Sequence, residues 1–486
     1  MTRLVVGPFN RVEGDLEVRL EIAEGAVREA RVVAPMYRGF ETMLTGRAPR
    51  DALVIVPRIC GICSVSQSVA AARALADAAG AGMPPNGVHA INLMLACENL
   101  ADHLTHFYLF FMPDFTRPVY AGRPWFAEAT RRFTALSGEH VRRATAARQR
   151  WLELMGTLGG KWPHTGSVQP GGSARAVEAS ERIRLLAKVR EFRAFAEQVL
   201  FAAPLEEVAA LDGEAALQAW HAADPQRGDL RLFLTIAADT GLDRLGVGPG
   251  MAISHGAFRQ PDGRPAFGGG VWDTATQRLD VLDIDMITED ATHAWLAPGP
   301  AVALHPRDGL TRPDADKPGA YTWNKAPRLG GRVVETGAVA RQLADGHPLI
   351  RAVVARGGMN VATRVLARLL EIARVLPMCE QWLAALVPRE PFFAADTLPD
   401  EAEGVGLTEA ARGALGHWVR VQGGRIAHYQ IVAPTSWNFS PRDAAGTPGA
   451  LEAALVGAPV REGETTPVAV QHIVRSFDPC MVCTVH

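Results

Sequence analysis

DPCMVCTVH, residues 478–486, and RICGICSVSQ, residues 58–67, each carry two cysteines three positions apart. Cys60, Cys63, Cys480 and Cys483 are four of the six cysteines in the chain, and 416 residues separate the two pairs. CxxC spacing lets two sulfurs from one turn reach the same metal. Structural zinc sites mostly join pairs about 15–20 residues apart and fold a small module. A shared metal here would instead tie together the two ends of a large fold. A thioredoxin-like disulfide is the weaker alternative, since neither pair follows a βαβ pattern. Cys97 and Cys379 lie in apolar helical stretches, where a buried free thiol is the ordinary outcome. His486 stands three residues beyond Cys483. A terminal histidine is usually frayed, yet a metal-bound Cys483 would hold this tail inside the protein. The buried imidazole and carboxylate would then need partners, and a hard cation with oxygen ligands would supply one.

The rest of the composition narrows the class. Forty-eight per cent apolar residues over 486 positions provide for a substantial core. Fifty basic residues against 52 acidic ones, a net charge of -2, give no electrostatic case for nucleic acid. No stretch approaches the roughly 20 apolar residues that span a bilayer. The start, MTRLVVGPFNRVEGD, meets charge too soon for a signal peptide, although a protein exported in complex could ride on its partner's signal. Six cysteines are too sparse for a disulfide framework, so in a reducing compartment paired CxxC reads as metal binding or redox chemistry. The expected location is cytoplasmic.

Hydrophobic periodicity outlines the elements. Leu16, Val18, Leu20 and Ile22 alternate with charged residues before Glu24-Gly25, which predicts an N-terminal β-hairpin within residues 1–35. A helical segment is expected over 57–79, carrying the first cysteine pair. Residues 90–112 predict a buried helix with Glu98, Asp102 and His106 on one face. Further helices are expected over 139–158, 180–202 and 360–387. Residues 225–330, rich in Gly, Pro and Asp, predict irregular structure with short strands. Gly423-Gly424 marks a second hairpin. No linker or repeat divides the chain. The expected architecture over 1–486 is a single helix-rich α+β fold, with a central bundle of long helices and peripheral β-hairpins.

The two cysteine motifs resemble the metal-binding signatures of nickel-iron hydrogenase large subunits. GPFNRVEGDLEV (7–18), YRGFE (37–41), GGKWPH (159–164), YTWNKAPR (321–328), ARGALGHW (411–418), YQIVAPTSWNFSPRD (429–443) and GALEAALVGAPV (449–460) fall where that family would place them. The resemblance implies a nickel-iron centre, with carbon monoxide and cyanide completing the iron shell. Cys60 and Cys480 would be terminal nickel ligands, while Cys63 and Cys483 would bridge nickel to iron. Soft thiolates suit both metals. Glu13 would take a proton from Cys480, Arg412 would hang over the open metal position, and Asp102 and Asp478 would hold that arginine. Thr435 would donate to a cyanide. Glu41, His486 and the backbone carbonyl of Ile431 would bind Mg2+.

Several positions depart from the family pattern. Gln67 stands where CGxCxxxH has histidine, Asp15 follows RVEG, and Ala411 replaces a proline. Ile62 and Phe110 occupy positions where valine and a smaller aliphatic are common. These features resemble the hydrogen-sensing, regulatory branch. There Ile62 and Phe110 would narrow gas access and Gln67 would alter proton handling beside the bridging sulfurs. The alternative is a respiratory uptake hydrogenase. Either implies heterolytic splitting of dihydrogen and an iron-sulfur small subunit, in a heterodimer or a dimer of heterodimers. The sensing branch adds a histidine kinase as partner.

Overall fold

The computed structural model describes residues 2–395, 397–484 and 486. The N-terminal hairpin forms as the alternation predicts, and a third strand joins it. β1 (Thr2–Val6) pairs antiparallel with β2 (Glu17–Ala23), which pairs with β3 (Ala26–Val33). Register sets Val6 opposite Val18 and Leu20 opposite Ala30, so one face turns inward.

The first cysteine pair is not helical, contrary to the expectation over 57–79. A 3-10 turn ends at Ile59, Cys60 is extended, and α1 begins only after Cys63 (Ser64–Ala79). Both thiols therefore lie on a loop at the N-terminal end of a helix. Gly80, at φ 67°, closes the other end, where the Ala81 amide bonds the Ala76 carbonyl at 2.8 Å.

The central bundle consists of α2 (Pro85–Thr105), α3 (Glu139–Leu158), α4 (Ala179–Phe195) and α5 (Val361–Ala385). α2 starts earlier than its periodicity suggests, with Pro85 at its first turn, a position where the missing amide costs nothing. It then widens into a π-turn over His106–Phe111 and a 3-10 turn over Met112–Thr116. α5 is opened by Asn360, whose side chain accepts from the Thr363 amide at 3.0 Å, and it continues across Pro377.

β4 (Ala402–Ala410), β5 (Gly413–Gln422) and β6 (Arg425–Val432) form an antiparallel meander. Only its second hairpin was legible from Gly423-Gly424. α1 lies directly on β4. A Cβ at Gly404 or Gly406 would come within 2.1 Å of the Ala74 carbonyl or 1.8 Å of the Ala70 carbonyl. The small strip Ala70, Ala74, Ala78 against two glycines thus sets the helix–strand distance. The middle region holds short strands as expected, and also a helix over Asp229–Thr240.

One apolar cluster runs from Val6 to Cys483. The chain ends meet within it. Glu13 and Cys480 form a parallel bridge, with the Glu13 amide on the Pro479 carbonyl (3.2 Å) and the Met481 amide on the Glu13 carbonyl (2.7 Å). α6 (Val468–Ser476) leads into this tail.

Candidate metal centre

The loop before α1 and the tail after α6 bring all four sulfurs of the paired cysteines together. Their Sγ atoms all lie within 4.8 Å of one another, with Cys63–Cys483 at 3.2 Å, Cys60–Cys480 at 3.3 Å and Cys480–Cys483 at 2.9 Å. All four are buried free thiols. Cys97 and Cys379 are buried elsewhere, as expected of core thiols. Burial pushes the Cys480 and Cys483 thiols up. Contact with Cys480 does the same to Cys63, while Cys60, toward which the others donate, is lowered. Four buried sulfurs so close together need positive charge to become thiolates, and a soft metal centre suits that donor set.

One such charge is Arg412, at the β4–β5 turn. Its Nε donates to the Asp478 carbonyl at 2.9 Å and its Nη2 to Asp478 Oδ1 at 3.1 Å, while Asp102 Oδ1 lies 3.0 Å from Nη2. Burial opposes the charge, but Asp102, Asp478, Cys480 and Cys60 outweigh it and raise the arginine's pKa. Nη1 is buried with no partner among the described residues. Arg368, absent from the sequence reading, sits 3.0 Å from Asp478 Oδ2 and completes an alternating cluster of two arginines and two aspartates. Burial pushes the Asp102 carboxyl up, and Asp478, facing both arginines, is held down. Asp478 adopts φ 56°, a conformation that aspartate tolerates better than most residues.

Glu13 is half-buried beside the tail. Burial and then the Cys60 charge raise its pKa, against Arg412 and Arg38. Gly14, at φ 78°, leaves no room for a side chain, since a Cβ there would meet Val482 at 2.9 Å. Arg38, within YRGFE, donates to the Ile59 carbonyl and, at 3.0 Å, to the Val482 carbonyl, and so clamps the two cysteine loops together. Thr435 lies against the tail, its Oγ1 accepting from the Cys480 amide at 3.3 Å.

Gln67 is one turn into α1 and fully buried. His417 Nε2 is 2.9 Å from its Oε1, and the Tyr429 hydroxyl is 2.8 Å from His417 Nδ1. Burial lowers His417 to about 3, so the ring is neutral and donates from Nε2 to the glutamine. Gln67 Nε2 has no partner among the described residues. Ile62 sits between the two N-terminal thiols and packs on the main apolar cluster, which does not take in Phe110. Phe110 is half-buried in the π-turn, and its carbonyl accepts from Arg11 at 3.0 Å.

Glu41, Ile431 and His486 also converge. His486 Nε2 is 2.5 Å from the Ile431 carbonyl and 3.7 Å from Glu41 Oε1, while its Nδ1 is 2.7 Å from the Cys483 carbonyl. Burial lowers the imidazole's pKa. A neutral ring that donates from Nδ1 presents a lone pair at Nε2 to another acceptor. A cation between them resolves that conflict. Burial acts to raise Glu41, but Lys325, His486, Thr311 and the Ile431 amide bring it below the usual range. Lys325, which also reaches Glu289 at 3.2 Å and Gln430 at 2.6 Å, was not anticipated, although YTWNKAPR contains it.

Comparison with known proteins agrees with this geometry. The family model for nickel-dependent hydrogenases matches residues 38–124 and 128–486. The periplasmic [NiFeSe] hydrogenase large subunit of Desulfomicrobium baculatum is 30% identical over 100% of this chain and 95% of its own length. The uptake hydrogenase large subunit of Rhodobacter capsulatus is 27% identical with the same coverage. Among solved structures, the H2-activated Dm. baculatum [NiFeSe]-hydrogenase superposes with TM-score 0.86 at 29% identity, covering 100% of both chains. The chain therefore belongs to the nickel-dependent hydrogenase family, as a large subunit of an oxidoreductase that acts on hydrogen.

Proposed function

We propose that this chain is the large subunit of a hydrogen-sensing nickel-iron hydrogenase. The observation that carries the chemistry is the buried four-sulfur cluster beside an arginine nitrogen that has no partner among the described residues. When bound, a nickel-iron centre with carbon monoxide and cyanide on its iron supplies the chemistry that splits dihydrogen heterolytically. Cys60 and Cys480 would hold the nickel alone, and Cys63 and Cys483 would hold both metals. Arg412 keeps a fixed positive edge near the sulfurs, at no reorganisation cost because Asp102 and Asp478 already orient it. Glu13, with its carboxyl raised toward neutrality, is suited to accept a proton from Cys480 and release it outward. Thr435 would donate its hydroxyl proton to a cyanide. Glu41, the Ile431 carbonyl and His486 would bind Mg2+, with Lys325 and Glu289 around the cage.

The sensing role rests on Gln67 and its buried chain to His417 and Tyr429. An amide beside the bridging sulfurs can donate a hydrogen bond but cannot become cationic. Ile62 and Phe110 would narrow the gas route. Substituting Val and Leu there is expected to speed inactivation by oxygen, and an unchanged rate would remove that role. This reading carries with it an iron-sulfur small subunit, a histidine kinase partner, a cytoplasmic location and one functional unit over 1–486. No helix among the described residues is long and apolar enough to cross a membrane.

The uptake enzymes among the relatives give the second reading, in which electrons feed a respiratory chain. An infrared spectrum of the heterodimer before and after admitting hydrogen tests the metal chemistry. Carbon monoxide and cyanide bands that shift with hydrogen are expected, and their absence from a folded complex overturns the assignment. Hydrogen-dependent change in phosphorylation of a co-purifying kinase then separates sensing from uptake.

A further inference from the structure

A cavity of about 510 Å3 opens on the far half of α1, between that helix, β4, the start of α2 and the turn Arg259–Gly263. Arg73 and Arg259 both line it. Arg73 donates from Nη1 to the Leu407 carbonyl at 2.6 Å, and no carboxylate among the described residues forms an ion pair with either arginine. Asp262 pairs with Arg264, and Asp285 pairs with Arg307 at the rim. Asp77 also lines the cavity and accepts from the Val405 amide at 2.9 Å, so two unpaired guanidiniums face one carboxylate. Burial and then the Arg259 charge both act against the Arg73 guanidinium, lowering its pKa. A guanidinium nevertheless stays charged in proteins, so the cavity holds positive charge that the protein does not fully balance. The remaining wall is largely apolar, with Met83, Val88, Ile91 and Leu407. The volume is that of an ordinary small-molecule pocket.

We propose that this cavity binds an amphipathic organic anion, its carboxylate or phosphate head on Arg73 and Arg259 and its apolar body against Met83, Ile91 and Leu407. Two converging cations supply the bidentate recognition that such heads favour, and the apolar wall discriminates against bare inorganic ions. The site does not depend on the metal chemistry. α1 nonetheless connects the two, since Gln67 and Arg73 lie on the same helix.

The test uses the purified heterodimer and the fluorescent probe 8-anilinonaphthalene-1-sulfonate, an aromatic anion of suitable size. One saturable site per large subunit is expected. Octanoate and phenyl phosphate should displace the probe, their relative strength identifying the preferred head, while inorganic phosphate should compete at least tenfold less well. Arg259→Gln, at an exposed position, is expected to weaken binding about tenfold, and Arg73→Lys to weaken it less. Saturable binding that neither substitution changes, competition by inorganic phosphate equal to that of octanoate, or no saturable binding at all overturns the proposal.

Discussion

The two cysteine pairs are alike in sequence and unlike in support. Cys60 and Cys63 precede a helix of 16 residues. Glu98 of α2 accepts from the amides of Val65 and Ser66, at 2.7 and 2.9 Å, and so caps that helix from outside. Cys480 and Cys483 sit on a single 3-10 turn near the end of the chain. Beyond the bonds within that turn, their support is long-range: the Glu13 bridge, the Arg412–Asp478 contacts, Thr435, and His486 packed against Ile431. The first pair inherits rigidity from secondary structure. The second acquires it from partners distant in sequence, so its geometry depends on more separate contacts.

Three predictions press on this difference. The largest effect is expected at Arg412, the charge between the two halves. Arg412→Gln should lower hydrogen turnover by about 100-fold or more, in line with loss of one preorganised donor. Nickel and iron content should stay near stoichiometric, and metal analysis beside an activity assay checks both halves of that statement.

Next come the separate supports. Glu41→Gln or His486→Ala removes a tail anchor, and activity or metal retention is expected to fall about 10–100-fold, as for other groups that orient metal ligands. Chelation should then strip metal faster than from the wild type. Glu98→Ala instead leaves two buried amides unpaired at the helix start, and should cost about 1–3 kcal/mol of stability. If thermal unfolding and metal release respond alike to both variants, the contrast between the pairs is lost.

The smallest effect on activity is expected from pH acting through Glu98. Burial raises its pKa from 4.5 to about 7, the amide and hydroxyl donors opposing. The folded state therefore holds the proton more tightly than the unfolded chain does. Its contribution to stability is complete below about pH 4.5 and is lost as pH rises through about 7. Glu98→Gln should flatten this part of the pH–stability curve, which denaturant titrations at several pH values can follow.

The four cysteines were legible in the sequence as donors to one metal because ligation depends on side-chain chemistry at fixed spacing. The parts given to Glu13, Arg412, Asp102, Asp478, Thr435 and Glu41 came instead from the family resemblance. Two CxxC pairs and a terminal histidine define that chemistry wherever the backbone goes. The alternation over Leu16–Ile22 and the uninterrupted run after Ala90 likewise imply a strand and a buried helix, since burial of one face imposes the period. Boundaries were less legible. The cysteine loop reads as helix because α1 follows it without a break in apolar character. The first strand of the meander, Ala402–Ala410, was missed because its inward face is Gly404, Gly406 and Thr408, and the glycines that its close packing on α1 requires depress strand propensity.

By itself, then, the sequence determined which donors exist and that they belong to one metal-binding chemistry. Only the tertiary structure decided that Arg368 joins the Arg412 cluster, that His417 and Tyr429 stand behind Gln67, and that Arg38 clamps both cysteine loops. Lone arginines and histidines carry no periodic signature. Their roles follow from which elements pack together, and that packing is a property of the whole core rather than of any local stretch of chain.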